Sequence, residues 1–274
     1  MAAAGTATVL RGGTAVSLQF LGGTEFVSAG GTDRAAQIGN GGYQDIKSGG
    51  STSGATVSSG GTSLIHGSAF AANISSGGTQ SIFSHGIVAS GTKIASGSIQ
   101  FVRGIANSAT IQNDGDQAIG SGGTALNTTL TSGGRQDIAA MILGAGTAIS
   151  TTMSGGGIQE VHAGGIASDT IVRGGYQQVD AGGSAFDSII TSKGLTFIEA
   201  GASGVDAIVG SGGTMKVAGE ARDPIISGGL LDLVEGYSTD GILGFASEVD
   251  CSTDRRKGSR HNHAESLFVL LLEF

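Results

Sequence analysis

Four carboxylates that recur at one place in successive repeats are the residues best placed to do chemistry. The segments SDTIV, FDSII, VDAIV and RDPII put Asp169, Asp187, Asp206 and Asp223 in step, and stacked strands would hold such neighbours about 5 Å apart. Like charges at that spacing raise one another's pKa or recruit a cation. The ladder is therefore the candidate metal site, a weak Ca²⁺ site, and no other cofactor is expected. The competing reading is a turn position that favours Asn or Asp for local backbone bonding, and Asn127 in SGGTALNTTL holds the same place. A second pair, Asp137 and Glu160, precedes the core aliphatic residue on adjacent repeats. Convergent carboxylates can hydrolyse or cleave a polysaccharide, but this pair is expected on a solvated face with no Arg or Lys in register beside it.

Other constellations carry less. His261-Asn262-His263 with Cys251 offers zinc-type donors, yet the spacing matches no zinc motif and reads as a solvated tail. His66, His85 and His162 follow core positions in different repeats and are expected to face outward. No Ser/His/Asp or Cys/His arrangement is assignable. The Gly-rich strings precede strands rather than helices, and the calcium-binding nonapeptide is absent. No enzymatic activity is expected.

The elements that must position these residues follow from the glycines. From residue 22 onward Gly-Gly pairs alternate between short and long spacings, as in GGTEFVSA then GGTDRAAQIGN, or GGYQQVDA then GGSAFDSIITS. A short and a long arm together make a unit of about 18 to 20 residues, a period typical of solenoids. One aliphatic column runs through the short arms from Val27, Ile46 and Ile65 to Val217 and Leu233. A second runs through the long arms as Ile38, Val57, Ile74, Ile94, Ile111, Leu130, Met153, Ile171, Ile190, Val209 and Ile226. β-Branched residues suit a pleated strand, and a Gly pair at each end of a short segment breaks helices but supplies φ > 0 at corners. The expected fold is all-β: a single parallel β-helix of about 12 coils over residues 5–248, with a local bulge near 141–146, a departure at 83–97, and a non-repeat tail over 249–274.

Composition agrees. The 274 residues include 52 Gly, one Pro and no Trp, and only 13% are charged while 39% are apolar. Mean hydropathy of +0.17 argues against a disordered Gly/Ser linker. A net charge of −8 disfavours binding to nucleic acid or to an anionic membrane. The single Cys251 rules out an internal disulfide framework. The N-terminal residues lack the features of a secretory signal, and 267–272 is too short to span a bilayer. An ice-binding lattice would need an unbroken Thr array, whereas Thr24, Thr62, Thr79, Thr124 and Thr214 are interrupted by Tyr43, Ile158 and Tyr176.

The units SGGTQSI, GGYQDIKSGG, SGGTALNTTLTSGG and GGIQEVHAGG resemble the repeats of self-associating autotransporter adhesins of the AIDA type. The resemblance covers residues 5–236. It implies a right-handed β-helix passenger at the bacterial surface, displayed by an outer-membrane barrel, whose partner is another copy of itself or a surface receptor. It also implies glycan attachment at Ser residues preceding the Gly pairs: Ser48, Ser59, Ser76, Ser121, Ser132 and Ser211. The expected adhesive surface is a lateral face of Ser, Thr, Asn and Gln at exposed strand positions. The main rival is a spacer rod that presents another domain. The tail, CSTDRRKGSRHNHAESLFVLLLEF, departs from the family pattern and contains no barrel strands.

Overall fold

The computed structural model describes residues 5–83, 88–120, 122–139, 144–234, 237–239, 241–243, 248–251 and 269–270. Among them every strand lies in one of three parallel sheets, of 14, 13 and 14 strands. Sheet A begins with Thr6–Val9, Thr24–Val27 and Tyr43–Ile46. Sheet B begins with Thr14–Val16, Thr32–Arg34 and Ser51–Ser53, and sheet C with Gln19–Leu21, Gln37–Gly39 and Thr56–Val57. Except for the last pair of sheet C, hydrogen-bonded neighbours are three strands apart in the chain, so each circuit lays one strand on each face. This is the expected parallel solenoid of about twelve coils. The described residues contain no helix long and apolar enough to cross a membrane.

Two different demands explain the paired glycines. At the corner from sheet C to sheet A, Gly41 has φ +78° and meets the left-handed requirement. Gly42 meets a packing requirement instead, since a Cβ there would collide with the carbonyl oxygen of Phe20 in the preceding coil. Coils can stack at strand spacing only where the backbone below is left uncovered.

Strand periodicity then sorts the side chains. The four-residue strands of sheet A alternate outward and inward, and their last residue gives the first predicted column, with Val27, Ile46, Ile138 and Val217 fully buried. Sheet C gives the second column, including Ile38, Ile74, Met153 and Ile190. One assignment in it is wrong. Val172, not Ile171, pairs with Met153 and is buried, because a one-residue step in a strand reverses the face. A third column, on sheet B, is built of small residues such as Ala69, Ala89, Ala125 and Ala185, which lets the three faces close on a narrow core.

The extra length of the 133–155 unit falls between Arg135–Ile138 and Thr147–Ile149, and both strands keep register with the coil below. Residues 141–143 of the expected bulge lie outside the described residues, as do 84–87 of the other irregular segment, including His85. Glu248–Cys251 pairs with Leu230–Leu233, and Val269–Leu270 pairs with Ile242–Leu243. The remainder of the tail, with His261 and His263, lies outside the described residues.

Candidate functional site

The corner from sheet B to sheet C carries the aspartate ladder. Asp169, Asp187, Asp206 and Asp223 have φ of 54°, 52°, 53° and 50°. The column continues through Ser150, Asn127, Ser108, Gly91, Ala71, Gly54, Ala35 and Ser17, all with positive φ. A corner that needs one left-handed residue per coil selects Gly, Asn and Asp, and tolerates small residues at a cost. This backbone demand accounts for the Asp residues without a ligand. Their N–H groups join the coils, as in Asp187 N–H to Val205 O at 3.0 Å. The first three aspartates are exposed and Asp223 is half-buried. Among the described residues, three metal-type donors converge at Asp137, Glu160 and His162 and not along the ladder.

The serines proposed as glycan acceptors divide between two corners that look alike in sequence. Ser48 lies at the corner from A to B, whereas Ser59, Ser76, Ser132 and Ser211 lie at the corner from C to A. All five are exposed, and Ser59, Ser76 and Ser132 are left-handed, with φ of 50°, 49° and 48°. Ser121 lies outside the described residues.

The outer face of sheet A corrects the reading of Asp137 and Glu160. They are register partners, as expected, but Arg135 stands two residues before Asp137 on the same strand and so points to the same side. Its Nη2 donates to Glu160 Oε2 at 2.8 Å, and its Nε lies 2.9 Å from Asp137 Oδ1. Nor is the face freely solvated: Asp137 is only 8% exposed. Burial, reinforced by the Asp116 charge and opposed by Arg135, pushes the Asp137 carboxyl up to about 6. His162 Nδ1 contacts Asp180 Oδ2 at 2.6 Å, while His66 stacks on Phe83. These histidines are on the outside but engaged.

The interior holds a polar system that sequence reasoning missed. Among the described residues the second residue of the sheet A strands points inward, and from Gln80 to Gln177 it is Gln in every coil. Gln117 Nε2 donates to Gln100 Oε1 at 2.7 Å, Gln136 to Gln117 at 2.8 Å, Gln159 to Gln136 at 2.8 Å and Gln177 to Gln159 at 2.9 Å. All are fully buried. An amide has both a donor and an acceptor, so identical residues stacked at strand spacing satisfy one another along the axis. The signal was present in YQDI, RQDI, IQEV and YQQV: Gln shares the parity of the core Ile or Val. The lateral face therefore holds fewer Gln than expected, among them the exposed Gln19 and Gln37 of sheet C. At the N-terminal end Glu25 takes a ladder position and Asp33 a neighbouring one, both fully buried. Gln44 Nε2 donates to Glu25 Oε2 at 2.8 Å and to Asp33 Oδ2 at 3.2 Å. Burial, and then the Asp33 charge, raise the Glu25 pKa to about 7 against the opposing Gln44 bond.

The lateral faces are of mixed character. The outward column of sheet C reads Thr110, Thr129 and Thr152, then Ile171, Ile189, Ile208 and Ile225 in continuous register. The last three isoleucines are exposed.

No protein-family model and no curated protein matches the chain. Among solved structures, it is similar to the crystal structure of the TibC-catalysed hyper-glycosylated TibA55-350 fragment. The two share 32% sequence identity with a TM-score of 0.85, over 91% of this chain and 95% of that one.

Proposed function

Because the chain belongs to the AIDA-type autotransporter adhesin passengers, we propose that it is an adhesive rod that joins cells by binding another copy of itself through its lateral faces. The similarity to the TibA fragment over nearly the whole of both chains carries this reading. The outward columns support it. On sheet C they repeat Thr over three successive coils and then Ile over four, so weak single contacts can sum along the rod. The test is the settling rate of cells that display the chain. Aggregation that free chain inhibits supports homotypic adhesion, and dispersed cells would favour the spacer rod.

We also propose glycan attachment at the exposed corner serines Ser48, Ser59, Ser76, Ser132 and Ser211, and at Ser121. Projection from a corner leaves each described hydroxyl accessible without disturbing the core. The solved TibA fragment is itself hyper-glycosylated. Intact-mass spectrometry of the native chain tests this, and a mass equal to that of the bare polypeptide would refute it.

A further inference from the structure

We propose that Asp137, Glu160 and His162 form a binding site for a divalent first-row transition cation of the Zn²⁺ class on the outer face of sheet A. One ligand atom from each of the three lies within 4.8 Å of the others. The set combines an imidazole nitrogen with two carboxylate oxygens, which suits borderline ions better than Ca²⁺. His162 is oriented for the task. Its Nδ1 contacts Asp180 Oδ2 at 2.6 Å, which leaves Nε2 turned towards Glu160 Oε2 at 3.8 Å. A carboxylate behind the imidazole fixes the tautomer that ligates through Nε2. Tetrahedral coordination at about 2.0–2.1 Å requires ligand atoms about 3.3 Å apart. Small side-chain rotations therefore close the site, with no movement of the stacked backbone.

A second observation points to a ligand here. The Asp137 side chain is only 11% exposed, and its Oδ1, ion-paired with Arg135, makes no properly directed hydrogen bond. The same is true of Arg135 Nε, which lies 2.9 Å away. Arg135 balances charge at this site without satisfying its geometry. It lies between Asp137 and Glu160, and its side chain is 43% exposed, so it can swing into solvent when an ion enters. Glu160 and His162 remain partly exposed, which gives the ion an approach.

The experiment is calorimetric titration of the whole, chelator-treated chain with Zn²⁺, repeated with Co²⁺ while its visible absorption is recorded. The expected result is one ion per chain. Affinity should fall at least about tenfold in His162→Ala and in Asp137→Asn, and Arg135→Gln should bind at least as tightly as the parent. Far-UV circular dichroism checks that each variant remains stacked; should His162→Ala not, the nearly isosteric Asp137→Asn carries the test. Absence of binding, full affinity in the folded ligand variants, or weaker binding by Arg135→Gln would each overturn the proposal. So would binding that disappears in His261→Ala/His263→Ala, which would move the ion to the tail.

Discussion

Replacing Glu25 by Gln should stabilise the N-terminal coils at neutral and alkaline pH and remove most of their pH dependence. Glu25 is fully buried and has one partner, Gln44 Nε2, while its Oε1 has none. Burial and the Asp33 charge raise its pKa from 4.5 to about 7. A folded-state pKa above the unfolded one means that the folded chain holds the proton more tightly. Stability is then complete below about pH 4.5, declines as the pH rises, and reaches its full loss above about pH 7. The difference corresponds to about 3 kcal/mol. The amide introduced by Glu25→Gln would carry no charge and would extend the ladder by one coil, with its Oε1 accepting from Gln44. Amide hydrogen exchange of Val27 and Ile46 at pH 4 to 8 reads the local stability. The parent should lose protection across this interval, and Glu25→Gln should hold it. Parallel profiles for the two proteins would refute the reasoning.

Other expectations follow from the same stacking. Gln117→Ala leaves Gln136 Nε2 without its acceptor and Gln100 Oε1 without its donor, so denaturant unfolding should show a loss of at least about 2 kcal/mol. Gly42→Ala drives a methyl into the Phe20 carbonyl oxygen and should cost about 2–3 kcal/mol. Gly54→Ala, left-handed but in open space, should cost about 1 kcal/mol, and equal melting temperatures for the two would refute the two-demand account of the glycines. Asp187→Asn/Asp206→Asn keeps residues suited to the left-handed corner; its melting temperature and its heat on Ca²⁺ addition should match those of the parent. Ile189→Ser/Ile208→Ser/Ile225→Ser should slow the settling of displaying cells without lowering the melting temperature, since these side chains are outside the core.

The sequence by itself determined the solenoid. Gly-Gly pairs at alternating spacing locate the corners, and aliphatic residues at a constant offset locate two inward columns, because both are periodic demands that every coil repeats. Parity was also legible, though unread: Gln44 stands two residues before Ile46 and so had to point inward with it. Only the tertiary structure decided what depends on contact between coils. It separated the corner of Ser48 from that of Ser59, and showed that the second glycine of a pair is needed for space rather than for φ. It placed Val172 rather than Ile171 in the core, since a short strand with two adjacent aliphatic residues fits either register until its neighbour chooses. It also joined Arg135 and His162 to the Asp137–Glu160 pair that the repeats already place on adjacent coils. The repeat period says which positions stack, but which side-chain atoms meet across coils depends on rotamers that local sequence does not carry.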